Sequence, residues 1–150
     1  MKNIFKTEDV SVVLARIEKL SSSSQRSWGK MDVAQMLAHC NVVYELVFTD
    51  KHPPQKFLMK IILKLLVKKA VINEKPYKKN LQTAPAFKVV DEKEFDEEKS
   101  RLVEYIKKTQ EFGESYFDNK ESHSFGKLKS GEWNNMFYKH LDHHLNQFNC

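Results

Sequence analysis

The chain has 150 residues, 41% of them hydrophobic and 30% charged, with a formal net charge of +5. That length suits one domain over residues 1–150 burying about 70% of its unfolded surface, and such a composition excludes wholesale disorder. Two cysteines, Cys40 and Cys150, exclude a disulfide framework, and a modest charge dispersed among acidic residues provides no basic stripe for nucleic acid.

Residues 7–20, TEDVSVVLARIEKL, open the helical pattern, with Thr7 as the expected N-cap and Val10, Val13, Leu14, Ile17 and Leu20 at helical spacing. A polar linker, SSSSQRSWGK, follows. Asp32 and Gln35 form a capping-box pair for a second helix running to about Thr49, and the prolines at 53 and 54 forbid its continuation. The segment KFLMKIILKLLVKK places Lys56, Lys60, Lys64 and Lys68 four residues apart among apolar residues. It is too short and too often interrupted to span a bilayer. The expectation is a short helix packed on the bundle with its lysines in water; lying on an anionic membrane or receiving a partner is the alternative.

Residues 71–93 show no sustained period and carry Pro76 and Pro85, which makes them a long loop of the kind that walls a site. A long helix is predicted from Glu94 to about Tyr116, with Phe95, Leu102, Val103, Tyr105, Ile106 and Phe112 on its apolar face. ESHSFGKLKSG reads as another loop, and Ser130 as the cap of a last helix extending to about Phe148. The fold class expected is all-α, four main helices plus one short amphipathic helix. The N-terminal MKNIFKTEDV has no apolar run of signal-peptide length; with the unpaired cysteines this makes cytoplasm the expected location.

The six histidines carry the functional signal. Successive helical residues turn by about 100°. Taking His140 as zero, Trp133, His144, Phe137 and Phe148 fall at about +20°, +40°, +60° and +80°, so His140 and His144 lie in the apolar stripe. His143 falls near −60°, at its edge. On the second helix, His39 occupies the centre of the stripe formed by Met36, Val42, Val43 and Leu46. Three imidazoles from two helices therefore face one core. Clustered imidazoles repel once protonated, and unpartnered ring nitrogens cost about 1–3 kcal/mol each. A divalent metal removes both problems, since neutral imidazole is its commonest nitrogen ligand, although His-x-x-x-His spacing recurs by chance on many helices.

The stretches WGKMDVAQMLAHC, NLQTAPAFKVVDEKEFDEEKSRL and SFGKLKSGEWNNMFYKHLDHHLNQF together resemble the DinB-like superfamily, in particular an uncharacterised bacterial branch of it. The similarity runs from the first helix to Phe148. It is most specific at Met36-Leu37-Ala38-His39 and in the Trp-to-Phe run of the last helix. It implies a four-helix bundle with a metal held by His39, His140 and His144. It also implies chemistry similar to that of S-transferases using low-molecular-weight thiols and of a thiol-dependent maleylpyruvate isomerase. The resemblance is compatible with a homodimer.

Three histidine ligands leave a coordination position open, the mark of a catalytic site. Zinc and nickel lead as the metal, with iron and manganese left open because imidazole suits several ions. The open position serves either an ionised water, for hydrolysis, or the thiolate of a small thiol cofactor, for transfer to a small-molecule substrate. Gln35 lies one turn before His39 and reaches the site rim unless its capping role keeps it. Trp133 walls the pocket or belongs to the core, His143 is a candidate for orienting a ligand, and His123 is a loop histidine able to cover the site. Glu132 and Asp142 point away, His52 is expected to be exposed, and Cys40 is about 100° off the ligand face. The competing reading is a non-enzymatic bundle with structural histidines, acting as an interaction or peripheral membrane module through residues 56–68, without stable membrane insertion.

Overall fold

Helical periodicity governs the parts of the chain that build the core. A computed structural model describes all 150 residues and is mostly helical: six α-helices, one 3-10 turn at Pro85–Phe87 and a two-stranded hairpin. Helix α1, Thr7–Glu18, buries Val10, Val13 and Ile17. Its N-cap is Lys6 rather than Thr7, and no side chain caps it. The entry is closed instead by Asp9, which accepts from the Asn3 backbone N–H at 2.7 Å. Helix α2, Val33–Phe48, starts on the expected capping box: Asp32 accepts from the Gln35 N–H at 2.8 Å and Gln35 from the Asp32 N–H at 3.1 Å. Apart from Gln35, every residue of α2 from Val33 to Glu45 is buried.

Helix α5, Phe95–Phe117, packs on α2 through Leu102, Ile106 and Thr109, and α6, Ser130–Gln147, closes the core with Trp133, Phe137, Leu141 and Leu145. Gly113 interrupts α5 with φ 70°, a conformation that disfavours any residue bearing a Cβ. Phe112, expected on the apolar face, is 44% exposed just before this break, and Phe117 beyond it is fully buried. Aromatic stacking ties α2 to α6, with Tyr44 and Phe137 at 4.9 Å and 8° between planes. Between α2 and α5, Asn41 donates to Glu98 at 2.7 Å, and Arg101 bridges Glu98 and Glu45. His52 is drawn in rather than exposed: its Nε2 lies 2.8 Å from Glu45 and its surface is half-buried.

Four expectations are corrected between and beside these helices. Helix α3, Phe57–Leu66, forms, but it buries no residue. Its lysine row lies on one flank, and a broad apolar face turns outward: Phe57, Leu58, Leu65 and Leu66 are 79%, 68%, 74% and 76% exposed. The loop from residue 71 is shortened by α4, Lys68–Ile72. Lys139 reaches from α6 to the Ala70 and Asn73 carbonyls at 2.8 and 2.5 Å, satisfying acceptors that the end of α4 leaves open. The ESHSFGKLKSG segment is a hairpin, with β1 Lys120–Ser122 antiparallel to β2 Gly126–Leu128. Ser130 is the first helical residue of α6, not its cap; Glu132 reaches back to the Lys129 N–H at 2.8 Å. No helix is long and apolar enough to cross a membrane.

Candidate metal centre

The capping box fixes where α2 starts, and seven residues later His39 emerges on the face toward α6. One turn of α6 separates His140 from His144, so both rings project the same way. The three rings meet: centroids are 4.8 Å apart for His39–His140, 4.6 Å for His39–His144 and 4.8 Å for His140–His144. One nitrogen from each lies within 4.8 Å of the other two. His39 and His144 are buried, while His140 keeps part of its surface toward an adjoining cavity.

Hydrogen bonds fix the protonation of two rings. The His39 Nδ1 lies 2.7 Å from the Phe87 carbonyl oxygen. A carbonyl only accepts, so Nδ1 carries the proton, and in the neutral ring Nε2 presents its lone pair. For His144, Nδ1 lies 2.8 Å from Gln147 Oε1, and the amide of Gln147 donates at 2.7 Å to the Trp28 carbonyl. The amide nitrogen is thereby committed to Trp28, its oxygen faces His144, and His144 Nε2 is bare. The His39 Nε2 is 2.8 Å from His140 Nε2, so His140 supplies the shared proton when nothing else occupies the gap.

Burial holds the three rings neutral. It is the foremost cause in each case, pushing His39 below its ordinary value, His140 well below, and His144 down to about 3; neighbouring imidazoles add to the effect. Neutral rings aimed at one point, with the Nδ1–H groups of His39 and His144 each held by a second group, form the donor set a divalent transition ion takes. A tetrahedral ion at about 2.0–2.1 Å from each nitrogen needs them about 3.3 Å apart, which falls between the 2.8 Å contact and the 4.8 Å outer spacing. The residues fit the ion.

The cluster forms one wall of a cavity of about 750 Å³, lined in part by Trp28, Tyr77, Phe87, Met136 and the inner face of α3, Met59 and Leu63. No carboxylate lines it. Of the other histidines, His143 sits at the cavity edge between Trp28 and Tyr77, with its ring 5.0 Å from that of His144. Burial lowers its pKa as well. His123 lines the rim and is tied to the Pro53 carbonyl at 3.0 Å. Trp133 does both things weighed for it, packing in the core and touching the cavity. Gln35 does not line the cavity; its capping role holds it, and its spare amide reaches the Asp91 carbonyl at 3.3 Å. Glu132 and Asp142 are engaged elsewhere, with Lys68 and Arg16. Cys40 contacts Met36 in the core, where burial pushes its thiol up.

Three supporting groups escape a reading of the helical wheels. Gln147 follows His144 by one turn, a spacing that offers a weak signal. The Phe87 carbonyl is backbone and offers none. Gly29, at φ 82°, approaches so closely that a Cβ there would lie 2.5 Å from the Gln147 amide nitrogen.

A largely helical protein with a buried three-histidine cluster opening on an apolar cavity is the class these features define. Within it, the chain belongs to the family described as protein of unknown function DUF1569, whose model matches residues 2–150. Neither the curated proteins nor the solved structures contain a match.

Proposed function

We propose that this is a metal-dependent enzyme of the DinB-like type, built as a four-helix bundle, that activates a low-molecular-weight thiol for transfer to a small electrophile. His39, His140 and His144 hold the ion, with zinc and nickel the best fits to an all-imidazole set. The observation that carries this is the convergence of one nitrogen from each ring, with the Nε2 atoms of His39 and His144 bare and their Nδ1–H groups fixed by Phe87 and Gln147.

An ion held by His39, His140 and His144 would supply the positive charge that lowers the pKa of a thiol toward neutral pH. Three neutral ligands leave the double charge uncompensated, which favours an anionic partner over water. His143 is the group disposed to take the thiol proton: it is neutral, borders the cavity and lies beside His144. Trp28, Tyr77 and Phe87 supply apolar walls that orient the electrophile and exclude water.

Elemental analysis of protein purified without a histidine tag, followed by conjugation assays with a panel of small thiols, tests this. One equivalent of transition metal and thiol-dependent turnover, both lost in the paired substitution His140→Ala, His144→Ala, are expected. Metal-free protein of undiminished stability would leave the histidines structural. Metal-dependent turnover without any thiol would favour hydrolysis instead.

A further inference from the structure

Helix α3 inverts the usual arrangement of a surface helix. Its inner residues Met59 and Leu63 face the cavity, its lysines run along one flank, and the side away from the protein is apolar. The adjoining α4 is fastened to α6 by the Lys139 contacts, by Asn135 donating to the Ile72 carbonyl at 2.8 Å and by the Lys68–Glu132 pair. A contiguous apolar face of this kind, on a helix joined directly to an anchored one, marks a contact surface.

Charge identifies the occupant. Residues 51–73 contain six lysines and no acidic residue. Lys51 and Lys68 pair with Glu45 and Glu132; Lys56, Lys60, Lys64 and Lys69 have no salt-bridge partner. A twofold antiparallel pairing of α3 with a second copy would bring both lysine rows to the same rim, like charge against like. An anionic lipid surface supplies what the helix lacks on both counts, an apolar layer at the depth of its outer face and phosphates at the level of its flank.

We propose that α3 seats the protein on an anionic lipid surface, its outer apolar face entering the headgroup–acyl boundary and its lysines meeting the lipid phosphates. The docking is independent of the histidine cluster. It places the α3 wall of the cavity against the bilayer, so that amphiphilic molecules held in the membrane become the natural supply to that cavity.

Co-sedimentation of the full chain with phosphatidylcholine vesicles, with and without phosphatidylglycerol, tests the docking. Binding is expected on the anionic vesicles, much weaker on the neutral ones, and reduced by added salt. Leu58→Glu with Leu65→Glu should abolish it, and Lys56→Gln or Lys64→Gln should weaken it about fivefold each. Because α3 buries no residue, these variants should keep the wild-type melting temperature, and His140→Ala should still bind vesicles. Absence of binding to anionic vesicles at low salt would overturn the proposal, as would unchanged binding by the double glutamate variant. A wild-type dimer that the same double variant converts to monomer would assign the face to a second copy instead.

Discussion

The histidine cluster and α3 place opposite chemistries where each is least expected. Polar imidazoles lie inside the core, and large aliphatic side chains lie outside in water. In the first case the burial is accommodated: Phe87 and Gln147 take the two outer N–H groups, and the inner nitrogens face one another. In the second, nothing in the chain covers Phe57, Leu58, Leu65 or Leu66. A buried polar cluster whose outer N–H groups are held and whose inner nitrogens converge is a built site, and an exposed apolar face without cover is an incomplete one. Both depart from what folding alone would select, and both border the same cavity.

The sharpest way to separate the two regions is to remove apolar bulk from each. Phe137 is fully buried between Tyr44 and Trp133, so Phe137→Ala should cost about 3–5 kcal/mol of stability by the transfer and cavity terms together. Denaturant unfolding measures it. Gln147→Ala should weaken metal binding about 10–100-fold, because His144 loses the group that fixes its tautomer; competition against a metal chelator reads the change. Gly29→Ala should act in the same direction by displacing the Gln147 amide.

A smaller effect belongs to the polar cluster between α2 and α5. Burial alone would raise the Glu45 carboxyl, but hydrogen bonds from His52 and Lys51 and the charge of Arg101 hold it below its ordinary value. A depressed folded pKa contributes stability that is full above the unfolded value and lost as pH falls through the folded one. Unfolding measured at stepped pH should therefore show Glu45→Gln with a shallower acid dependence below pH 4.5, the ordinary value, than wild type. The smallest effect is expected on α3, where Leu65→Ser should change stability by no more than about 0.5 kcal/mol. A large loss there would mean that the outer face is covered in solution.

The sequence exposed those features that depend on helical period. The apolar stripes of α1, α2, α5 and α6 repeat over enough turns to be read, and the same rotation that marks Phe137 and Val43 as inward marks His39, His140 and His144. The capping box of α2 was visible because it needs only Asp32 and Gln35 three residues apart. The hairpin was not visible, since strands of three residues carry no alternation to detect. The facing of α3 was hidden for another reason. Its lysines occupy one flank, and periodicity cannot say which of the remaining apolar directions meets the protein. The supports of the site divide the same way. Gln147, one turn after His144, leaves only a weak signal on the wheel, whereas the Phe87 carbonyl leaves none, because it depends on the path of a proline-containing loop far along the chain.

Imidazole-nitrogen NMR of the metal-free chain at neutral pH, titrated with zinc, reports directly on the shared site. The expected spectrum has His39 and His144 protonated at Nδ1 with bare Nε2, and the ring signals of residues 39, 140 and 144 move together and saturate at one equivalent while His52 and His123 stay fixed. Nε2–H tautomers at 39 and 144, or zinc shifts scattered over histidines outside the cluster, would contradict it.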